Sequence, residues 1–340
     1  MQFIWMRRGP FAWLLLPISW CYRLLLAIRR ALYRWGVLTT RSVPVPVIVV
    51  GNVIAGGAGK TPVVMVLVQH LLARGLRPGV ISRGYGRSSK DCREVQEHSL
   101  AGEVGDEAQL IRRRCQVPVF VAAKRIQAAQ ALLAQYPKTD VLVCDDGLQH
   151  LALHRDIDIC VFDDRGLGNA WVLPAGPLRE PWPRKVDLVL HTGTTAAFAG
   201  YRAQRQLAQH ALRQDGSKVP LTSLQGRPLV AVAGIAQPQN FFTMLRANGL
   251  KLVQAIALPD HFSFEDWRFF PPQDCTMVCT EKDAAKLWRS HPAALAIPLA
   301  LELEPAFLPA LEALLPSSLG AKLSSPEHFT LERPHGQQTS

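Results

Sequence analysis

The chain has 340 residues, 48% of them hydrophobic, so it can bury a large core and is not an intrinsically disordered protein. The seven cysteines form no Cys-x-x-Cys pair, and Cys275 and Cys279 lack histidine partners at zinc spacing, which predicts free thiols in a reducing compartment. The net charge is +11. Thirteen of the 38 basic residues lie in residues 1–90, which hold no Asp or Glu, whereas residues 91–340 contain the other 25 basic residues and all 27 acidic residues. The excess charge in the first quarter indicates a polyanionic partner, such as a membrane surface, a nucleic acid or a phosphorylated substrate.

The N-terminal segment, residues 1–35, favours the membrane among these partners. Residues 11–28 are apolar and rich in Trp and Leu, but Pro17 and Arg23 interrupt them, so a simple bilayer span is not expected. Arginines among Trp and Leu are typical of a helix that lies in the headgroup region and is attracted by anionic lipid. A core helix of the soluble fold is the alternative. Nucleic acid is disfavoured because the basic residues sit among large apolar side chains.

The next stretch predicts a phosphate-binding P-loop. Residues 47–50 form a β-branched strand, a glycine-rich loop follows, and Lys60-Thr61-Pro62 opens a helix that ends at Gly75. Lys60 would contact the β- and γ-phosphates of ATP, and the Thr61 hydroxyl would bind Mg²⁺. The usual pattern has Gly where Ile54 stands, so an ordinary glycine-rich turn is the alternative. The predicted nucleotide-binding residues are Ile54, Ala55, Gly56, Gly57, Ala58, Gly59, Lys60 and Thr61.

Two polar loops follow the P-loop helix. Residues 79–82 read as a strand that ends in a basic loop, residues 83–87, at the edge where open α/β sheets bind ligands. A solvated connector is the alternative. Gly105-Asp106-Glu107 then precedes a helix through Arg114, with Asp106 as a candidate N-cap. A strand over 117–121 and a helix over 124–136 complete this part.

Two strands end in paired acids, and either could be the Walker B strand that carries a carboxylate to Mg²⁺ beside the P-loop. Residues 141–144 lead into Asp145-Asp146-Gly147-Leu148-Gln149-His150, and residues 157–162 lead into Asp163-Asp164. We prefer the first, because an unbroken apolar run precedes it and Gln149 and His150 add polar groups.

The remaining chain predicts a loop, a boundary and a second α/β set. The loop of residues 176–180 could project Arg179 toward a phosphate, although a plain surface turn explains it equally well. A strand over 186–190 follows, and the polar residues 193–226 are expected to hold the lobe boundary. The second set is predicted as strands over 229–232, 252–257, 276–279 and 298–303 and helices over 238–248, 281–288 and 306–315.

Asp260-His261-Phe262 follows a strand and a proline, so His261 could orient a catalytic carboxylate or could be a surface histidine in a turn. Thr280-Glu281-Lys282-Asp283 lacks the spacing of a guanine-reading motif, which argues against a GTPase and favours a charged first helical turn. The predicted fold is therefore an α/β, P-loop NTPase-like, mostly parallel sheet with flanking helices and a second, smaller α/β lobe. The predicted units are 1–35 (membrane-associated helix), 36–225 (P-loop kinase domain), 226–316 (smaller lobe) and 317–340 (loose polar tail).

The set of motifs resembles the tetraacyldisaccharide 4′-kinases, the lipid A 4′-kinases of Gram-negative bacteria. The resemblance covers the chain to about residue 290, with the motifs in the family's order, and that family's P-loop also lacks the first Walker glycine. The matching segments are residues 51–52, 56–57, 59–62, 82–86, 105–107, 145–150, 176–180, 260–262 and 280–283.

The resemblance implies ATP- and Mg²⁺-dependent transfer of the γ-phosphoryl group to the 4′-hydroxyl of an acylated glucosamine disaccharide 1-phosphate. It also implies a protein attached to the cytoplasmic face of the inner membrane through its N-terminal helix. We expect a monomer that binds no nucleic acid.

The resemblance also implies roles for particular residues. Asp106 would accept the hydroxyl proton with His261 oriented against it, and Lys60 and Arg179 would neutralise the moving phosphoryl group. The implied Mg²⁺ ligands, direct or through water, are Thr61, Asp145, Gln149 and Glu107, and the implied substrate contacts are Arg83, Tyr85 and Asp146.

Two readings from other classes stay open at this point. A membrane-associated partitioning or switch ATPase also combines a Gly-Gly-x-Gly-Lys-Thr loop with an amphipathic anchor, although such proteins typically carry Lys where Ala55 stands and anchor at the C-terminus. A nucleotide-gated nucleic-acid binder would show steeply salt-dependent affinity for random DNA.

Overall fold

The computed structural model describes residues 5–265, 267–316 and 319 and contains two sheets. The predicted polar tail from residue 317 therefore lies, except for residue 319, outside the described residues. The helices are α1 Pro10–Leu14, α2 Leu16–Arg34, α3 Lys60–Ala73, α4 Ala101–Val104, α5 Asp106–Cys115, α6 Arg125–Gln135, α7 Pro238–Ala247, α8 Glu281–Leu287 and α9 Phe307–Leu314.

The larger sheet has nine strands in the order β15-β8-β7-β6-β1-β5-β2-β4-β3. The strands from β8 through β4 in this order pair in parallel, whereas β15 and β3 pair antiparallel at the two edges. Its strands are β1 Val47–Gly51, β2 Pro78–Ser82, β3 Arg93–Glu94, β4 Val119–Val121, β5 Val141–Asp145, β6 Ile157–Phe162, β7 Leu188–His191, β8 Tyr201–Leu207 and β15 Leu299–Leu303.

The smaller sheet has six strands in the order β10-β9-β14-β13-β11-β12. Its strands are β9 His210–Leu212, β10 Lys218–Pro220, β11 Leu229–Ala233, β12 Leu252–Ala257, β13 Thr276–Thr280 and β14 Leu295–Ile297. The mixed α/β fold with mostly parallel sheets is confirmed.

Strand β1 lies at the centre of the larger sheet, between β5 and β6, and both of its faces are buried. Ile48 and Val50 pack into one hydrophobic cluster, and Val47 and Val49 pack into the cluster on the opposite face. A β-branched run buried on both faces is what a central parallel strand requires. Because β1, β5 and β6 are parallel neighbours, the loops after all three meet at one edge of the sheet.

The chain crosses between the sheets at places that differ from the predicted strands. The strand predicted over 298–303 is β15, which returns to the larger sheet beside β8, and a strand that was not predicted, β14, precedes it and belongs to the smaller sheet. Residues 193–226, in which a lobe boundary and no strand was predicted, contain β8, β9 and β10. The sequence Tyr201–Leu207 is polar because β8 lies near the sheet edge and exposes alternate residues.

Helix α2 lies along the larger lobe and exposes large apolar side chains, including Ile18, Trp20, Leu24, Leu25 and Ile28. Its other face is anchored: Ser19 Oγ donates to Val172 O at 3.0 Å, and Tyr22 Oη donates to Arg179 O at 2.8 Å. In the part of the chain that is described, no helix is both long and apolar enough to cross a bilayer.

Candidate active site

The loop between β1 and α3, which we call the glycine loop (residues 52–59), opens onto a cavity of about 510 Å³ between the two lobes. Gly59 has φ +76°, a backbone conformation that favours glycine, and a Cβ there would displace the Arg205 guanidinium. Helix α3 begins directly afterwards at Lys60, and its N-terminal amides face the cavity with the partial positive charge of a helix N-terminus. Lys60 and Thr61 are nearly buried at the cavity wall.

Lys60 and Arg179 converge on Asp146, which follows β5. Lys60 Nζ lies 3.6 Å from Asp146 Oδ1, and Arg179 Nη1 lies 2.8 Å from the same oxygen. Burial acts to raise the pKa of Asp146, but Lys60 and Arg179 outweigh it and lower the pKa to about 2. An ionised carboxylate therefore sits between two cations at the cavity floor, where other anionic oxygens could be held.

The neighbouring carboxylate, Asp145, is in a different environment. It is 1% exposed, and its Oδ1 has no hydrogen-bond partner. Burial raises the pKa of Asp145, and the charge of Glu107 raises it further, while Lys60 opposes them. A buried oxygen without a partner suits a cation ligand, because an uncompensated buried carboxylate is costly.

Asp106 stands at the start of α5 and meets side chains from the smaller lobe. Its Oδ2 lies 3.0 Å from His261 Nδ1 and 2.8 Å from Lys286 Nζ. Burial acts to raise the pKa of Asp106, but the hydrogen bonds from His261 and Lys286 outweigh it and hold the pKa below its ordinary value. Both contacts use Oδ2, so Oδ1 can accept a hydrogen bond from a substrate.

The approach of the 83–87 loop to Asp106 depends on Gly105. This residue has φ +91°, and a Cβ there would lie 2.8 Å from Tyr85 O. Tyr85 is 67% exposed, and its ring centroid lies 5.3 Å from that of His261, so it forms a wall of the cavity beside the Asp106–His261 pair. Arg83 is exposed and does not line this cavity.

Gln149 is close to the cations, and both ends of its side-chain amide are hydrogen-bonded. Its Nε2 donates to Asn52 O at 3.0 Å and to Glu180 Oε1 at 2.8 Å, and its Oε1 accepts from Arg179 Nη1 at 3.3 Å. In this arrangement Gln149 orients Arg179. Glu107 lines the cavity near Lys60 and Thr61.

The structure adds four cationic residues that the motifs did not indicate. Lys286 contacts Asp106 as described above. It lies one helical turn after Lys282, whose Nζ is 3.4 Å from His261 Nε2. Because residues four apart lie on the same face of a helix, the spacing of Lys282 and Lys286 could have indicated that both reach the site. Arg125 is 2% exposed and donates to the carbonyls of Asp145 and Asp146. Arg165 and Arg205 donate to carbonyls of the glycine loop, Arg205 also lines the cavity, and no local sequence signal marks either.

Comparison with known proteins gives one consistent result. The family described as tetraacyldisaccharide-1-P 4′-kinase matches residues 11–317. A tetraacyldisaccharide 4′-kinase of Acidovorax sp. (strain JS42) is 57% identical over 326 residues, 95% of each chain, and one of Polaromonas naphthalenivorans (strain CJ2) is 55% identical over 334 residues, 96% of this chain and 97% of that one.

A crystal structure of LpxK from Aquifex aeolicus in complex with ATP is similar in fold. It is 30% identical in sequence, superimposes with a TM-score of 0.78, and the match covers 90% of this chain and 100% of that one. The similarity in fold therefore extends over most of the chain.

Proposed function

The chain belongs to the tetraacyldisaccharide-1-phosphate 4′-kinase family, and from that premise we propose how its own residues perform the reaction. The enzyme transfers the γ-phosphoryl group of ATP to the 4′-hydroxyl of an acylated glucosamine disaccharide 1-phosphate in the lipid A pathway of Gram-negative bacteria. One observation carries the assignment of roles: Lys60, Asp146 and Arg179 line the same cavity as His261, whose Nδ1 holds the nearly buried Asp106 directly behind it.

We assign the glycine loop and Lys60 to the triphosphate, as a P-loop. Asp146 is paired with both Lys60 and Arg179. Phosphate oxygens would compete for the same two cations, and Arg179 and Lys60 would then balance the charge that develops on the transferred group. Displacement of Asp146 from Lys60 by the nucleotide would leave Asp146 free to contact the sugar.

We assign Asp106 as the proton acceptor for the 4′-hydroxyl. Its Oδ1 would accept the hydroxyl hydrogen bond while His261 and Lys286 hold Oδ2, so the carboxylate cannot rotate away. An ordinary carboxylate suffices as the base because the transition state of phosphoryl transfer is loose and needs little early deprotonation. Tyr85 would pack against the sugar, and Arg83 would meet a substrate phosphate at the outer rim.

The residues fit a magnesium site completed by nucleotide. Across the described residues, no three His, Cys, Asp or Glu side chains form a metal cluster. Magnesium at nucleotide sites takes only one or two carboxylates together with phosphate oxygens and water, so a full protein cluster is not required. Asp145, with its unpartnered buried oxygen, and Thr61 would hold the ion, with Glu107 and Gln149 reaching it through water. The ion would supply charge neutralisation of the phosphates.

We propose that α2 lies on the cytoplasmic face of the inner membrane and that the protein acts as a monomer. The helix exposes its apolar side chains outward, while Tyr22 and Arg30 contact the loop of Arg179 and Glu180. A lipid that enters along this helix would therefore arrive beside Arg179.

A transfer assay tests the proposal directly. The protein, MgATP and detergent-solubilised acyl disaccharide 1-phosphate are mixed, and the lipid product is separated and analysed for a second phosphate at the 4′ position. Release of inorganic phosphate without a bisphosphorylated lipid would contradict the proposed roles and favour a switch ATPase.

A further inference from the structure

Five consecutive carbonyl groups of the glycine loop, those of residues 54–58, each accept a hydrogen bond from a side chain, either that of Asn52 at the start of the loop or one from outside the loop. Asn52 Nδ2 donates to Ile54 O at 2.8 Å and to Gly56 O at 3.3 Å. Asn52 lies at the end of β1, so these two carbonyls are tied to the central strand of the larger sheet.

The intervening carbonyls are held by a guanidinium fork. Arg165 Nη1 donates to Ala55 O at 3.0 Å, and its Nη2 donates to Gly57 O at 3.0 Å. Asp163, which is 3% exposed, fixes the other edge of the guanidinium, with Nε at 2.9 Å from Oδ2. The planar Arg side chain can bind two carbonyls and a carboxylate at once, which the single ammonium of Lys cannot reproduce.

The last carbonyl is held from the sheet edge. Arg205 Nη2 donates to Ala58 O at 3.1 Å and to Thr192 Oγ1 at 2.6 Å, and Thr192 Oγ1 also lies 3.2 Å from Ala58 O. Arg205 is on β8, the strand after which the chain enters the smaller sheet.

These contacts have a consequence for the opposite side of the loop. In a trans peptide the C=O of one residue and the N–H of the next point in opposite directions. The hydrogen bonds that fix the carbonyls of residues 54–58 therefore also fix the directions of the N–H groups of residues 55–59. The Ala55 N–H donates to Pro177 O at 2.7 Å, whereas Gly56, Gly57, Ala58 and Gly59 line the cavity.

We propose that Arg165 and Arg205 are positioning residues that brace the glycine loop, so that its amides are aimed at the β-phosphate of the nucleotide before it binds. This inference deepens the proposed function and rests on the assignment of the glycine loop to the triphosphate. Pre-organised amide donors lower the cost of ordering the loop on binding, so the brace acts on nucleotide affinity. Neither arginine needs to touch the transferred γ-phosphoryl group.

The test compares Arg165→Lys and Arg205→Lys with Arg77→Lys, whose half-exposed arginine pairs with the buried Asp140 and does not line the cavity. Lysine keeps the charge beside Asp163 but loses the fork. Calorimetric titration of the full chain in detergent measures the Kd of MgADP and of a non-hydrolysable MgATP analogue. Hydrogen–deuterium exchange of the nucleotide-free protein follows peptides that contain residues 51–60.

We expect both lysine variants to raise the Kd for both nucleotides by roughly tenfold or more, since charge-assisted hydrogen bonds to the loop are lost. Exchange in the 51–60 region should accelerate, and Arg77→Lys should change neither quantity. A global loss of structure would instead accelerate exchange throughout the chain, and Thr192→Val then tests the Arg205 side with a smaller change.

Unchanged ADP affinity in both lysine variants would overturn the brace, even if kcat fell, because it would mean that the arginines act on the γ-phosphoryl group or not at all. A rise confined to the KM of the lipid would overturn it as well. A wild-type protein that binds nucleotide but phosphorylates no disaccharide would contradict the proposed function. The comparison of nucleotide Kd values between wild type and the lysine variants would still test whether Arg165 and Arg205 position the glycine loop.

Discussion

Replacing Asp106 with Asn tests the assigned proton acceptor while keeping the shape of the side chain. The amide can still accept from Lys286 or His261, but it no longer carries the negative charge that balances them, and it is a far weaker base. A positioned general base contributes about two to four powers of ten in rate. We therefore expect kcat to fall by roughly 100- to 10,000-fold, which corresponds to about 3–5 kcal/mol of activation free energy.

The assay measures kcat and both KM values for phosphate transfer to the solubilised disaccharide. Because Asp106 does not contact the glycine loop, the KM of ATP should stay within about twofold, whereas kcat should fall as above. His261→Gln is the matched control: Lys286 still holds Oδ2 of Asp106, so its kcat should fall much less, by about tenfold. If Asp106→Asn kept more than a tenth of wild-type kcat, or if only the KM of the lipid changed, Asp106 would not be the proton acceptor.

Three further outcomes follow from other parts of the molecule. Lys60→Ala should abolish transfer without changing the far-ultraviolet circular dichroism, and a variant with undiminished turnover would remove the P-loop assignment. Trp20→Ser combined with Leu24→Ser should weaken co-sedimentation with anionic vesicles by roughly tenfold or more but spare ATP binding, since both side chains are exposed on α2. Glu312→Gln should cost about 0.5–1 kcal/mol in the free energy of unfolding at neutral pH, because Arg74 holds the pKa of Glu312 below its ordinary value. A depressed folded-state pKa stabilises only above the unfolded value, so denaturant titrations should show this difference fading as the pH falls below about 4.

The order of elements could be predicted from the sequence where the hydrophobic pattern is strong. The β-branched run of β1, the glycine loop and the helix from Lys60 were predicted within a residue or two of their observed bounds. Strand β8 was missed because it lies near a sheet edge, so its residues are half polar and resemble a linker. The division of 295–303 into strands of two different sheets could not be predicted, since periodicity says which residues are buried but not against what.

The same limit applies to the site. Short motifs mark residues whose local chemistry is unusual, such as Lys60 after a glycine or Asp106 after Gly105. Lys286 carries no such signal: it is a helical lysine that becomes part of the site because α8 packs against α5 across the lobes, which places its Nζ 2.8 Å from Asp106. Long-range partners of this kind depend on how elements distant in the sequence pack against each other, and the local sequence pattern does not specify that packing.

The two pairs of acids show how the structure separates alternatives that the sequence left open. Strands β5 and β6 flank β1 on either side, so Asp145 and Asp163 both end beside the glycine loop, and position alone favours neither as a magnesium ligand. Their partners differ. Asp163 is bound by the Arg165 guanidinium through Nε and Nη2, and that arginine is engaged with the loop carbonyls, so binding a cation would require breaking the brace. Asp145 has a buried oxygen without a partner and a neighbouring Glu107, so a cation there would relieve an existing cost. Neutralising Asp163 would release Arg165 from its position beside the glycine loop. We therefore infer that the acid after β5, Asp145, binds the magnesium ion, whereas the acid after β6, Asp163, holds the arginine that supports the glycine loop.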